Sequence, residues 1–155
     1  MTYPVRDARS DEARAIANAV AGQPLLARYG TTADALAGSL AAAMARGEGL
    51  LVADDGKAIS GMAWFTEGGT FGGLGGYLRL IALAPGREGH GVGGALLDEV
   101  ERRVARTSRR LFLLVSHEND GARRFYAARG YQEGGRLASL VVEGIDEIVM
   151  WRRLR

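Results

Sequence analysis

Four glycines fall within six residues, at Gly89, Gly91, Gly93 and Gly94, between an apolar run that stops at Pro85 and a second one beginning at Ala95. Glycines joining a strand to a helix let backbone N–H groups converge, and the helix start adds unpaired donors and the positive end of its dipole. That combination suits a phosphate or pyrophosphate. Two spacings coexist in the stretch. Gly89-x-Gly91-x-x-Gly94 is a dinucleotide fingerprint, while Glu88-x-x-Gly91-x-Gly93 is a different template. A second constellation follows the next apolar run, with Asn119, Ala122, Phe125, Tyr126, Gly130 and Tyr131. The Tyr126 phenol is able to donate a proton, although beside Phe125 it also reads as an aromatic on a buried helix face.

The composition narrows the chemistry further. The 155 residues contain no cysteine, which removes disulfides, thiolate catalysis and Cys-based metal sites together. His90 and His117 are the only histidines, so no metal centre is expected. Length suggests one domain over residues 1–155. The first residues lack a signal-peptide core and no apolar run approaches 18 residues, so a cytoplasmic protein with no membrane partner is expected. The formal charge is +2, and Lys57 is the only lysine. Arg102, Arg103, Arg106, Arg109 and Arg110 are interleaved with Asp98, Glu99 and Glu101, as on a solvated helix face, and no aromatic-rich basic strand accompanies them. No nucleic-acid partner is expected.

The elements that would position these residues follow from periodicity. Residues 3–8 read as a short strand, and residues 10–22 as a helix with Ser10 as its N-cap. Residues 31–47 give a second helix whose stripe is Leu36, Leu40 and Met44. Asp55-Gly56 is a hairpin signal between two strands, and a third strand runs from Tyr77 to Pro85. The helix after the glycine loop buries Leu96, Leu97, Val100 and Val104. Residues 111–115 are a continuous apolar run suited to a central strand. A short helix capped by Gly130 and two last strands complete the order βααβββαβαββ, an α/β chain with a mixed sheet. The glycine-rich segment 68–76 reads as a flexible hairpin tip.

With the residues 80–97 that hold the glycine loop, the segment Asn119-x-x-Ala122-x-x-Phe125-Tyr126-x-x-x-Gly130-Tyr131 resembles the GNAT superfamily of N-acetyltransferases. The resemblance extends through the element order over essentially the whole chain. It implies a GNAT-like fold: a mixed, twisted sheet of about seven strands, four flanking helices and a splayed pair of central parallel strands. It also implies acetyl-CoA, or a related acyl-CoA, as co-substrate. Ile81, Ala82 and Leu83 match the strand whose backbone pairs with the pantetheine arm. Gly89, His90, Gly91, Val92, Gly93 and Gly94 match the pyrophosphate cradle. Asn119 matches the side chain that contacts the pantetheine or orders the strand end, and Tyr126 the hydroxyl beside the thioester sulfur, hence the acid. Glu88 departs from the Gln or Arg common in the family, with Arg87 as a nearby positive charge.

The implied reaction is direct acyl transfer to a primary amine of a small molecule or peptide. An oxyanion forms on the way, for which a backbone N–H near Leu83 is a reasonable stabiliser. Candidates for the general base are Glu67, His117, Glu118 and water. Two other classes remain open on the residues alone: a non-catalytic acyl-CoA-binding regulatory module, and an NAD(P)-dependent oxidoreductase with Glu118 as its ribose-binding acid. The latter requires the loop to sit in the first β-α-β unit of a doubly wound parallel sheet, whereas three strands and two helices precede that unit here. The final strand is a candidate for pairing across a homodimer.

Overall fold

The computed structural model describes residues 3–155. Its elements are β1 (Val5–Asp7), α1 (Ala13–Val20), α2 (Pro24–Arg28), α3 (Ala33–Ala45), β2 (Gly49–Asp54), β3 (Ile59–Thr70), β4 (Gly75–Leu83), α4 (Val92–Val104), β5 (Arg110–Ser116), α5 (Asp120–Ala128), β6 (Gln132–Val142) and β7 (Ile145–Arg153). The strands form one sheet in the order β1-β2-β3-β4-β5-β7-β6, in which β4–β5 is the one parallel pair. This is the expected GNAT-like mixed sheet, with five helices instead of four. The added one, α2, is too short for an apolar period to show. Its signal is Pro24 at the first helical position, where a missing N–H costs nothing.

Alternation along the strands divides the core in two. Leu51, Ala53, Ala63, Phe65, Leu78, Leu111, Leu113 and Val115 pack with α4, Tyr126 and Tyr131 on one face. Leu50, Val52, Met62, Trp64 and Ala82 pack against α1, α2 and α3 on the other. The α4 stripe of Leu96, Leu97, Val100 and Val104 is fully buried. Arg102 and Arg103 both hydrogen-bond Glu99, and Arg103 also reaches Asp7 on β1 at 2.9 Å.

Two departures from the expected boundaries have clear causes. The N-cap of α1 is Glu12 rather than Ser10. Its buried carboxylate takes Arg6 at 2.7 Å and the Arg9 N–H at 2.6 Å, so an ion pair fixes the helix start where a hydroxyl cap was expected. Segment 68–76 is mostly strand: β3 runs to Thr70 and β4 begins at Gly75, which leaves a four-residue turn whose Phe71 ring stands edge-on to Phe112 at 5.1 Å. Gly75 and Gly76 allow the close approach of β4 to its neighbours. A Cβ on Gly75 would strike the Arg110 carbonyl, and one on Gly76 would lie 2.7 Å from the Thr66 carbonyl oxygen. The final strand cannot pair across a dimer, because β7 is hydrogen-bonded on both edges, by β5 and β6.

The feature that makes the site is a parting of β4 from β5. They pair at Gly76–Leu111, Tyr77–Phe112 and Leu78–Leu113, and not beyond. At that point β4 carries an extra residue against β3, since Phe65 faces Leu78 and Trp64 faces Leu80, leaving Arg79 between them. Such a bulge bends a strand and increases its twist. It also reverses the alternation, so that Leu78 faces α4 whereas Leu80 faces the α1 and α3 side.

Candidate functional site

The gap between the two strands is part of a cleft of about 1030 Å³ that passes from the α4 and α5 face to the α2 face. The first end is built largely from backbone. Gly86, Gly89 and Gly91 adopt positive φ, with Gly91 at 84° as the N-cap of α4. The N–H groups of Gly89, His90, Gly91, Val92, Gly93 and Gly94 have no acceptor among the described residues, and Ala95 is the first to close a helical bond, on Gly91. Unpaired amides at a helix start form an anion site. Gly89, Gly91, Val92, Gly93 and Gly94 line the cleft, while the His90 side chain is exposed outside it. The Val92 side chain is buried in the core, so its backbone is what it can offer a ligand. Glu88 is exposed at the cleft wall, and Arg87 lies 3.7 Å from Asp55.

Ile81 and Leu83 line the gap; Ala82 points away, into the α1–α3 cluster. The Leu83 N–H donates to the Gln23 side-chain oxygen at 3.2 Å. Across the gap, Asn119 caps α5, its side-chain oxygen taking the Ala122 N–H at 3.1 Å. Tyr126 lines the cleft next to Phe125 and Tyr131, whose rings lie 5.1 and 5.5 Å away. Burial pushes its phenol well above the ordinary tyrosine range, which keeps the proton on the oxygen.

The second end is built from side chains. Tyr29 follows α2, Trp64 lies on β3, Tyr77 and Arg79 on β4, Ser116 on β5 and Glu147 on β7, and all line the cleft. Glu147 is buried and accepts the Tyr29 phenol. Burial and this carboxylate push the Tyr29 hydroxyl up to about 12. The Arg79 guanidinium lies 4.4 Å over the Trp64 ring, and the Trp64 indole N–H is held by Glu48 at 2.9 Å. Glu67, His117 and Glu118, the residues expected to supply a base, are not in the cleft. Glu67 and Glu118 are exposed, and the His117 backbone is tied to Asp146. Glu147 escaped notice because it lies in a strand read for its apolar residues, and only the pairing of Ser116 with Glu147 brings it to the strand end.

The Acetyltransferase (GNAT) family pattern matches residues 13–131, which takes in the glycine loop and the segment 119–131. The chain belongs to the GNAT family of acetyltransferases. Solved structures of similar fold agree with this. One, from Desulfovibrio desulfuricans and assigned as a GNAT-family acetyltransferase, is 23% identical with a TM-score of 0.82, covering 99% of this chain and all of that one. An N-acetyltransferase from Staphylococcus aureus is 15% identical, TM-score 0.78, with both chains fully covered. A GNAT superfamily phosphinothricin acetyltransferase from Sinorhizobium meliloti, solved with acetyl-CoA, is 21% identical, TM-score 0.76, covering 99% of this chain and 89% of that one. No curated protein sequence matches. The single parallel pair in this GNAT sheet also departs from the doubly wound parallel sheet that a dinucleotide fold requires.

Proposed function

We propose that this protein transfers the acetyl group of acetyl-CoA to a primary amine by direct attack. The observation that carries the reading is the parting of β4 from β5 beyond Leu78 and Leu113, which opens onto the unpaired amides of residues 89–94. The donor set fits an acyl-CoA. The backbone edge of Ile81 and Leu83 offers hydrogen bonds to the pantetheine amides, and the loop amides take the pyrophosphate. Asn119 orders the end of β5 through its cap on α5.

In this reading the amine nitrogen bonds to the thioester carbonyl carbon, the C–S bond breaks, and the sulfur receives the Tyr126 proton. Burial keeps the phenol protonated at neutral pH, so the proton is on the oxygen when the thiolate leaves. The Leu83 N–H stabilises the oxyanion once Gln23, which holds it here, gives way to the thioester oxygen. Calorimetry with acetyl-CoA tests the reading, followed by thiol release with an amine panel. Binding with turnover supports it. No binding at millimolar acetyl-CoA overturns it. Binding without acetylation of any amine would favour a regulatory acyl-CoA module instead.

A further inference from the structure

Glu147 and Arg79 line the same cavity with opposite charge and do not touch. Glu147 is 2% exposed, and the one hydrogen-bond partner of its carboxylate among the described residues is the Tyr29 phenol. Among the described residues no arginine, lysine or histidine lies within ion-pair distance of it. A carboxylate buried against a neutral phenol alone is costly, and a cation that reaches it offsets that cost. Arg79 is the complementary case. Its guanidinium rests on the Trp64 face, fixed in turn by Glu48, and it too has no ion pair among the described residues. The bulge sets Arg79 just past Leu78, the last β4 residue that pairs with β5. Tyr77 lies within electrostatic reach of both charges. The other groups around Glu147 are Tyr29 and Arg28 from α2 and its cap, Ser116 from β5 and Leu137 from β6. Arg28 is held 3.4 Å from the Ser116 hydroxyl.

We propose that Glu147 and Arg79 form a two-point site for a zwitterionic acceptor, so that the substrate class is a free amino acid or a close relative with its amine near an anionic group. This rests on the acetyltransferase reading above. The Glu147 carboxylate binds the ammonium and accepts one proton, which frees the nitrogen lone pair to attack the thioester carbon. The second amine proton, released as the C–N bond forms, replaces the one Tyr126 gives to the sulfur. The products are the N-acetyl amino acid, CoA thiol and a proton that Glu147 returns to solvent. Arg79 holds the carboxylate of the same molecule, and Tyr29 is a positioning residue that orients Glu147.

The test compares three probes for each side chain: the amino acid, its carboxamide and its decarboxylated amine, with thiol release and acetyl-CoA calorimetry on the same samples. The amino acids are expected to exceed the other two in kcat/KM by about tenfold or more, the scale of a charge-assisted bidentate contact. Glu147→Gln, which keeps the side-chain shape, is expected to lower kcat/KM by about 100-fold, the scale of a lost general base. It should also leave the acetyl-CoA Kd within about twofold. Arg79→Met should erase most of the preference for the acid over the amide. Tyr29→Phe, a milder variant that keeps the carboxylate, should lower kcat more than it raises KM for the amino acid, without changing the product. Equal turnover of acid and amide, or full activity in Glu147→Gln, overturns the site while acetyl-CoA binding leaves the acetyltransferase reading standing. Absence of acetyl-CoA binding overturns both.

Discussion

The two ends of the cleft are made differently. The α4 and α5 end uses backbone amides from six consecutive residues and one phenol from the segment that follows β5. The α2 and β7 end uses side chains from residues as far apart in sequence as Tyr29 and Glu147, joined by a hydrogen bond across 118 positions. A site made of main chain needs only glycine and a helix start, so it tolerates wide change in sequence. A site made of side chains changes its chemistry with each substitution. The first end therefore suits a fixed co-substrate and the second a particular acceptor.

That contrast can be broken at the backbone end first. Gly91→Glu places a bulky anion at a positive-φ position among the loop amides, and the acetyl-CoA Kd is expected to rise by about 100-fold or more. Calorimetry checks this; unchanged affinity would move the anion site elsewhere. Tyr126→Phe keeps the ring and removes the proton, so kcat should fall by about 100-fold while the acetyl-CoA Kd changes by less than about twofold. A parallel loss in both would make Tyr126 a packing residue.

A third variant lies outside both ends and serves as the control. Arg6 holds the Glu12 carboxyl down at about 2, with burial opposing and the Arg9 N–H assisting. A depressed carboxylate contributes stability above its unfolded pKa, near 4.3, and loses it as pH falls toward the folded value. Glu12→Gln should therefore cost about 2 kcal/mol of unfolding free energy at pH 7, the scale of charged hydrogen bonds. The gap from the parent should close between about pH 5 and pH 2, as urea melts across that range would show. The smallest effect is expected at the junction of the two ends. Gln23→Ala frees the Leu83 N–H from its partner, and acetyl-CoA should bind about two- to fivefold more tightly, the scale of one neutral hydrogen bond. Weaker binding would make Gln23 a ligand contact instead of a competitor.

The same contrast explains what was legible beforehand. The glycine loop and the segment from Asn119 to Tyr131 are each contiguous, so their residue types and spacing could be read directly, although the cap that Asn119 makes on α5 could not. The element order followed from apolar period wherever a helix was long enough, as in α4 with Leu96, Leu97, Val100 and Val104. The five-residue α2 was not, and Gln23 was lost with it. Glu147 and Arg79 were hidden for another reason. A carboxylate in a strand and an arginine in a bulge gain meaning only from strand order and register, which depend on the whole sheet. The base candidates His117 and Glu118 follow the strand beside the parting, yet neither they nor Glu67 line the cleft, because a place at a strand end does not fix which way a side chain leaves it.

The Trp64 perch has a practical consequence. The chain has two tryptophans, and Trp64 alone lines the cleft; Trp151 stacks on Phe112 away from it. Trp64 sits beneath a guanidinium, with its indole N–H fixed, so anything that draws Arg79 off the ring alters the light the indole emits. In a Trp151→Phe background the protein carries one tryptophan, and its emission reports on whatever reaches the Arg79 end of the cleft, readable by titration with no label and no turnover.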